Sequence, residues 1–393
     1  MKNHYTKLIF LLFLINVYSV FGQVQINENI ASDEINFSFA SSVSIADSGK
    51  RVVVGGYGLN QWGSRVYDWN GSNWVQLGND IDVDFPNDSC HYNVSISSNG
   101  NIIAIGSVIN EIPDNGYVKI YELLEGNWIQ LGNVIIGENN SDFFGSRLSL
   151  SANGNRIVVG AKFSYNSNGS AEVYEYNGND WIQLGEDLTD IEAGPYFGTS
   201  VSISPDGNRV GVGANQNNYS SGLLRVFEYN GNAWVQLGND LVGDDFGDGF
   251  GVSSALSFNG NRIIVGTYED TGNGYCKIFD YDGLIWEQIG QKIIGDNVLD
   301  RFGKAVTISG DGSRIAVGAP SIDANVNTSS SGYVKLFELN NSIWEELGEK
   351  MEGDEVRDEF GERLKLTADG NTIIIGGLTY VYQEIGTEDG YAK

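Results

Sequence analysis

The chain is poor in the residues that most enzyme chemistry needs. It has two histidines, two cysteines, two methionines and five prolines among 393 residues. His4 lies in an N-terminal leader, so His91 is the only imidazole of the mature chain. Without a second histidine, imidazole-rich metal sites and most Ser-His arrangements lack a base. Basic residues are scarce too, 23 against 51 acids. The formal net charge is −28, and more negative still once Lys2 and Lys7 leave with the leader. Such a field repels phosphate backbones and excludes nucleic acid as a natural partner. No stretch of the mature chain has a 3.6-residue hydrophobic period, so helices are not expected.

Only one long apolar run exists, from Leu8 to Val20, preceded by Lys2 and Lys7 and followed by the small Gly22. It reads as a secretory signal peptide over residues 1–22, too short to span a membrane comfortably. No cysteine sits at the cleavage point, so no lipoprotein anchor is expected. The mature chain is expected to start at Gln23, secreted or on the extracellular surface, without membrane insertion.

What the sequence does have is a repeat. Tryptophan recurs at Trp74, Trp128, Trp181, Trp234, Trp286 and Trp344, a spacing of about fifty residues that marks one unit copied around an axis. Each copy runs like FGSRLSLSANGNRIVVGA from Phe144, a variable stretch, and GSAEVYEYNGNDWIQLGEDL from Gly169. Leu148 and Leu150 alternate with Ser149 and Ser151, the period of a half-buried strand, and Ile157–Val159 suits a strand buried on both faces. Asn153-Gly154 and Asn177-Gly178, with their equivalents, tolerate the positive φ of hairpin turns.

Each copy is thus expected to be a four-stranded antiparallel blade. First strands near Phe39, Cys90, Phe144, Phe197, Phe250, Phe302 and Phe360 predict an all-β, seven-bladed β-propeller over residues 23–393, a single domain. QVQINENI from Gln23 aligns with WVQLGNDI from Trp74, so the N-terminal strand is expected to close the ring. The chain stops within the aligned third strand, so the last blade reads as incomplete, with a continuation beyond Lys393 expected. Cys90 and Cys276 replace apolar strand residues in distant blades and are expected as free thiols, not a disulfide. His91 replaces the glycine of a Phe-Gly pair and reads as a local variant.

Two sets of residues invite a functional reading. Blade-to-blade loops share G-[DE]-x-x-x-D-x-F-G, with acid pairs Glu138/Asp142, Asp244/Asp248, Asp296/Asp300 and Asp354/Asp358. Repetition favours architecture, the second acid capping backbone N–H groups. The alternative is calcium, which needs several oxygen ligands; no other cofactor is indicated. On the same face, the loops between second and third strands vary in length and text. They carry Asn110, Tyr165, Asn217, Tyr219, Tyr268 and Asp323, polar groups suited to an extracellular protein or glycan ligand.

Phe-Gly before the first strand and Gly-Ala-Pro after the second, both present in FGKAVTISGDGSRIAVGAP (Phe302–Pro320), resemble the FG-GAP repeats of integrin α-chain propellers. With Trp-x-Gln-Leu-Gly, the chain looks most like the bacterial secreted branch of that family, and the match covers essentially all of the mature chain. The D-x-[DN]-x-D-G calcium loop of the integrin repeats is replaced here by S-x-[DN]-G, so those sites are not carried over. The resemblance implies a ligand-presenting face and an adhesive setting. The leading expectation is a non-enzymatic binding or adhesion module. One alternative is an extracellular polysaccharide lyase or hydrolase using carboxylates, with Asp82, Asp84 and Asp88 as candidates. Another is a structural spacer for a C-terminal domain.

Overall fold

The structure, a computed structural model, describes residues 25–26, 30–31, 37–58, 62–81, 93–108, 115–164, 168–189, 195–216, 221–267, 272–321, 330–354, 358–380 and 388–392. Every element named among them is a strand. The copy beginning at Phe144 shows the plan. Phe144–Leu150 pairs antiparallel with Arg156–Ala161, which pairs with Ser170–Tyr176. Ile157, Val158 and Val159 are fully buried, as a strand covered on both faces requires. In the connecting turn only Gly154 takes a positive φ, at +73°. Asn153 instead accepts the Ser151 hydroxyl and the Asn155 N–H through its side-chain oxygen.

The outer strand departs from expectation. It is split into Trp181–Gln183 and Leu188–Thr189, which pair with opposite ends of the same third strand. Five copies therefore form five-stranded rather than four-stranded sheets. The break falls at Leu184-Gly185. Gly185 has φ +82°, and a Cβ there would press on Trp234 of the next copy. The Trp234 indole N–H donates to the Leu184 carbonyl at 2.7 Å. Trp128, Trp181, Trp286 and Trp344 make the same bond to the copy before each. The tryptophan period is thus a ring of staples between neighbouring sheets.

The blade count is also corrected. The seven inner strands pack side by side around one axis, but hydrogen bonding groups the chain into six sheets, not seven. The reason is local. Gly169 and Gly222 make isolated parallel bridges to Phe197 and Phe250 of the following copy. At the last junction the corresponding bridge, Phe37 to Asp389, lies within regular strands and merges the last and first copies into one eight-stranded sheet. The chain ends meet in that sheet, where Ile30 and Ala31 pair with Ala392 and Tyr391.

The core lies between sheets. Phe144, Phe197, Phe250, Phe302 and Phe360 are fully or almost fully buried. The glycine of each Phe-Gly pair sits against the Val-Gly-Ala glycine of the copy before, as Gly251 does on Gly213. Inner-strand serines bridge neighbours whose backbones do not pair: Ser95 accepts from the Leu150 N–H, and Ser200 donates to the Gly251 carbonyl. On the opposite face from the variable loops, Arg156 and Arg314 clamp the Asp-Gly turn of the next copy, at Gly207-Asn208 and Gly370-Asn371.

Candidate functional site

All six variable-loop residues singled out by sequence, Asn110, Tyr165, Asn217, Tyr219, Tyr268 and Asp323, lie outside the described residues. So do the signal segment 1–22, Cys90, His91, Asp82, Asp84 and Asp88. Cys276 is a buried free thiol whose pKa burial pushes up.

The acid pairs are described in full. Asp248 Oδ2 accepts the Asp244 and Asp245 N–H groups, each at 2.8 Å, and the Tyr275 hydroxyl at 2.5 Å. Asp300 Oδ2 accepts from the Asn297 N–H and the Tyr333 hydroxyl, both at 2.7 Å. Asp142 accepts the Asn139 side-chain amide, and Asp358 is fully buried. Two of the first acids face lysines: Asp244 pairs with Lys277 and Lys292, and Asp296 with Lys335. Glu138 and Asp354 are exposed. A hard cation needs several free oxygens, whereas at Asp244/Asp248 and Asp296/Asp300 ammonium groups and backbone donors already take them. Among the described residues no group of three or more His, Cys, Asp or Glu is arranged to hold a metal. At these two pairs few oxygens are left for calcium.

One copy breaks the charge pattern. The third strand carries Arg65, Lys119, Arg225, Lys277 and Lys335 at a common position, but Glu172 in the Trp181 copy. Arg65 and Arg225 pair with Asp80 and Asp240; Glu172 instead meets Asp187, aligned with those aspartates. Burial pushes Glu172 up to about 7, with the Tyr174 hydroxyl bond opposing and Asp187, Glu138 and Asp142 reinforcing. The folded chain therefore holds this proton more tightly than the unfolded one. Stability is greatest below the ordinary glutamate pKa and is lost as pH rises towards 7. Glu172→Gln is expected to raise the melting temperature at pH 8, by about 2 kcal/mol or a few degrees, and to change it little at pH 4. Glu172→Arg, recreating the Arg–Asp pair, is expected to stabilise at least as much. A lower melting temperature at pH 8 for both would refute this reading.

A cluster that sequence reasoning missed lies where the inner strands begin, on the variable-loop face. Lys304 and Glu362 occupy the same repeat position, directly after Phe-Gly, and Nζ lies 3.7 Å from Oε1. Arg363 donates to that same oxygen at 2.7 Å and to the Ser41 carbonyl at 3.1 Å. Arg147 donates to the Ser146 carbonyl. Lys162 lies over the rings of Phe143 and Phe163, 5.4 and 5.1 Å from their centroids. Phe163 packs edge-to-face on both Phe143 and Tyr196, and all three rings are half-buried. Among the described residues no carboxylate lies within ion-pair distance of Arg147 or Lys162. The residue before Phe-Gly is left-handed in each of these copies: Phe143, Tyr196, Gly249, Arg301 and Glu359. Glycine suits that backbone, so the other four side chains are held there at about 1 kcal/mol of strain each.

These groups act on one another across the axis. Burial pushes Arg147 down to about 10, and Arg363, from a non-neighbouring sheet, adds to the depression. Lys162 falls to about 8 through burial and then the charges of Arg147 and Lys304. Lys304 is lowered by burial, partly offset by Glu362. Glu359 rises to about 7, through burial and then Glu362. Glu362 is held below its usual range, its burial outweighed by Lys304, Arg363 and Arg147. Ser146 Oγ and Glu362 Oε2 are buried without a hydrogen-bond partner among the described residues.

The ring of inner strands and radiating sheets decides the fold. The chain is a β-propeller. It is similar to the hydrazine synthase of Kuenenia stuttgartiensis, with 10% identity, a TM-score of 0.57 and coverage of 91% of this chain and 96% of that one. The periplasmic gluconolactonase of Pseudomonas aeruginosa aligns at 14% identity and TM-score 0.57, over 86% of this chain and 94% of that one. The C-terminal WD40 domain of Sif2 aligns at 12% identity and TM-score 0.54, over 93% and 99%. At such identities the propeller is shared and the chemistry is not implied. The chain matches no protein-family model and no curated protein sequence.

Proposed function

We propose that this propeller is a secreted or cell-surface binding module of the FG-GAP kind, without catalysis, which presents its variable-loop face to an extracellular glycan or protein. The contrast between two sets of charges carries the reading. Acids repeated in the blades are engaged by backbone donors and lysines, as at Asp248 and Asp244. The charges that differ from copy to copy gather instead at the axis mouth, where Arg147, Lys304 and Glu362 stand in for one another's positions or lie beside them. Residues that break a repeat are free to serve a ligand, and a rigid ring holds them in place.

The test is an array of glycans and extracellular proteins probed with the mature chain, with the products of a polysaccharide panel followed in parallel. Saturable binding without turnover supports the module. Turnover lost on Asp84→Asn would instead make the chain a polysaccharide-acting enzyme. Calcium supplies a second check. Because the oxygens of Asp244/Asp248 and Asp296/Asp300 are already engaged, the melting temperature is expected to be the same in excess calcium and in chelator. A ligand at a hundredfold excess over its Kd would stabilise by about 2.7 kcal/mol, so a rise of several degrees in calcium would contradict the assignment.

A further inference from the structure

Among the described residues at the mouth of the axis, basic side chains outnumber carboxylates, in a chain whose net charge is −28. The inference drawn from this rests on the binding-module reading and names its ligand. We propose that the mouth binds an acidic sugar at the end of a glycan, its carboxylate held by Arg147, Lys162 and Lys304 and its ring laid against Phe163 and Tyr196.

Three observations converge on that ligand. First, among the described residues the Arg147 guanidinium donates only to the adjacent Ser146 carbonyl, although it carries five N–H donors in a fork that matches a carboxylate. The neighbouring Ser146 hydroxyl is buried and has no hydrogen-bond partner among the described residues, a costly condition that an oxyanion acceptor would relieve. Second, Glu362 does not neutralise the cluster: one of its oxygens serves both Lys304 and Arg363. Third, Phe163 and Tyr196 form a half-buried edge-to-face pair beside Lys162. An inorganic ion has no use for that apolar wall, whereas the C–H face of a sugar ring does.

The surrounding charge limits the ligand to a chain end. Acids elsewhere on the surface repel a long polyanion, but beyond about 8 Å they are screened at physiological ionic strength. A single carboxylate at the axis therefore experiences mainly the local cations. Lys162 is depressed by burial and then by the charges of Arg147 and Lys304; a bound carboxylate offsets both, so the complex takes up a proton near pH 8.

Calorimetric titration of the mature chain with a glucuronate-terminated disaccharide, its neutral glucose counterpart and inorganic phosphate tests this. The acidic disaccharide is expected to bind and the neutral one not. Arg147→Ala is expected to weaken binding by about tenfold or more, the loss of a charge-assisted bond. Lys162→Met is expected to abolish the proton uptake, read as a buffer-independent heat at pH 8. Equal binding of the neutral sugar, equal binding of phosphate, or an Arg147→Ala variant that melts and binds like wild type would each overturn the proposal. An array ligand whose binding survives Arg147→Ala would remove the axis site and leave the binding module standing. Cleavage of the bound disaccharide would do the reverse.

Discussion

Gly213→Ala is expected to abolish the folded propeller or lower its melting temperature by several degrees. A Cβ at this position would run into the Gly251 carbonyl oxygen and the Ser200 hydroxyl. The carbonyl belongs to the backbone of the next copy and cannot turn away. Overpacking of this kind costs about 3 kcal/mol or more, and relief would require two sheets to separate. Gly178→Ala is the matched control. Gly178 lies in an open hairpin turn with nothing within 4 Å of an added Cβ, and its φ of +99° is the sole objection. Its cost is expected near 1 kcal/mol. Thermal melts of the two variants check the contrast; equal shifts would show that the Gly–Gly contacts do not hold the sheets in register.

The second large effect is expected at Trp234. Its indole fills the gap between two sheets, and its N–H reaches the Leu184 carbonyl at 2.7 Å. Trp234→Ala removes the packing and leaves that carbonyl unpaired, a loss of about 3–5 kcal/mol. Trp234→Phe keeps most of the ring but not the donor and is expected to lose about 1 kcal/mol from the bond. The ordering Ala below Phe below wild type, read from denaturant midpoints, distinguishes a staple from a surface aromatic. Two variants within error of wild type would contradict the staple.

Much of this architecture is legible in the sequence because each repeated residue has a repeated neighbour. Phe-Gly faces Val-Gly-Ala across a sheet boundary, and Trp reaches Leu-Gly, so both motifs must recur together. The hydroxyls of Ser95 and Ser200 read only as the polar half of an alternating strand, yet they join adjacent inner strands. The blade count was not legible. It depends on whether one parallel bridge, Phe37 to Asp389, stands alone or within regular strands, and no residue type signals that difference. The split outer strand had a signal in the glycine of Trp-x-Gln-Leu-Gly, whose left-handed backbone interrupts pairing.

The axis cluster was hidden for another reason. Arg147 and Arg363 are more than two hundred residues apart, and only closure of the ring brings their charges into range. Their signal lies in departures from the repeat. Where other copies place Ser200, Ser253 or Ala305, these two place arginine, and Lys304 and Glu362 likewise stand where Thr199 and Val252 do. Reading the repeat for what it shares reveals the ring. Reading it for what it does not share reveals the mouth.

Binding to the array ligand, measured side by side for three proteins, separates those two kinds of residue. They are wild type, the mouth variant Arg147→Ala/Lys304→Met and the loop variant Asp244→Asn/Asp296→Asn, each first shown to be folded. The expected result is binding kept by the loop variant and lost by the mouth variant. Binding kept by the mouth variant and lost by the loop variant would contradict it, and would place recognition on the repeated acids instead.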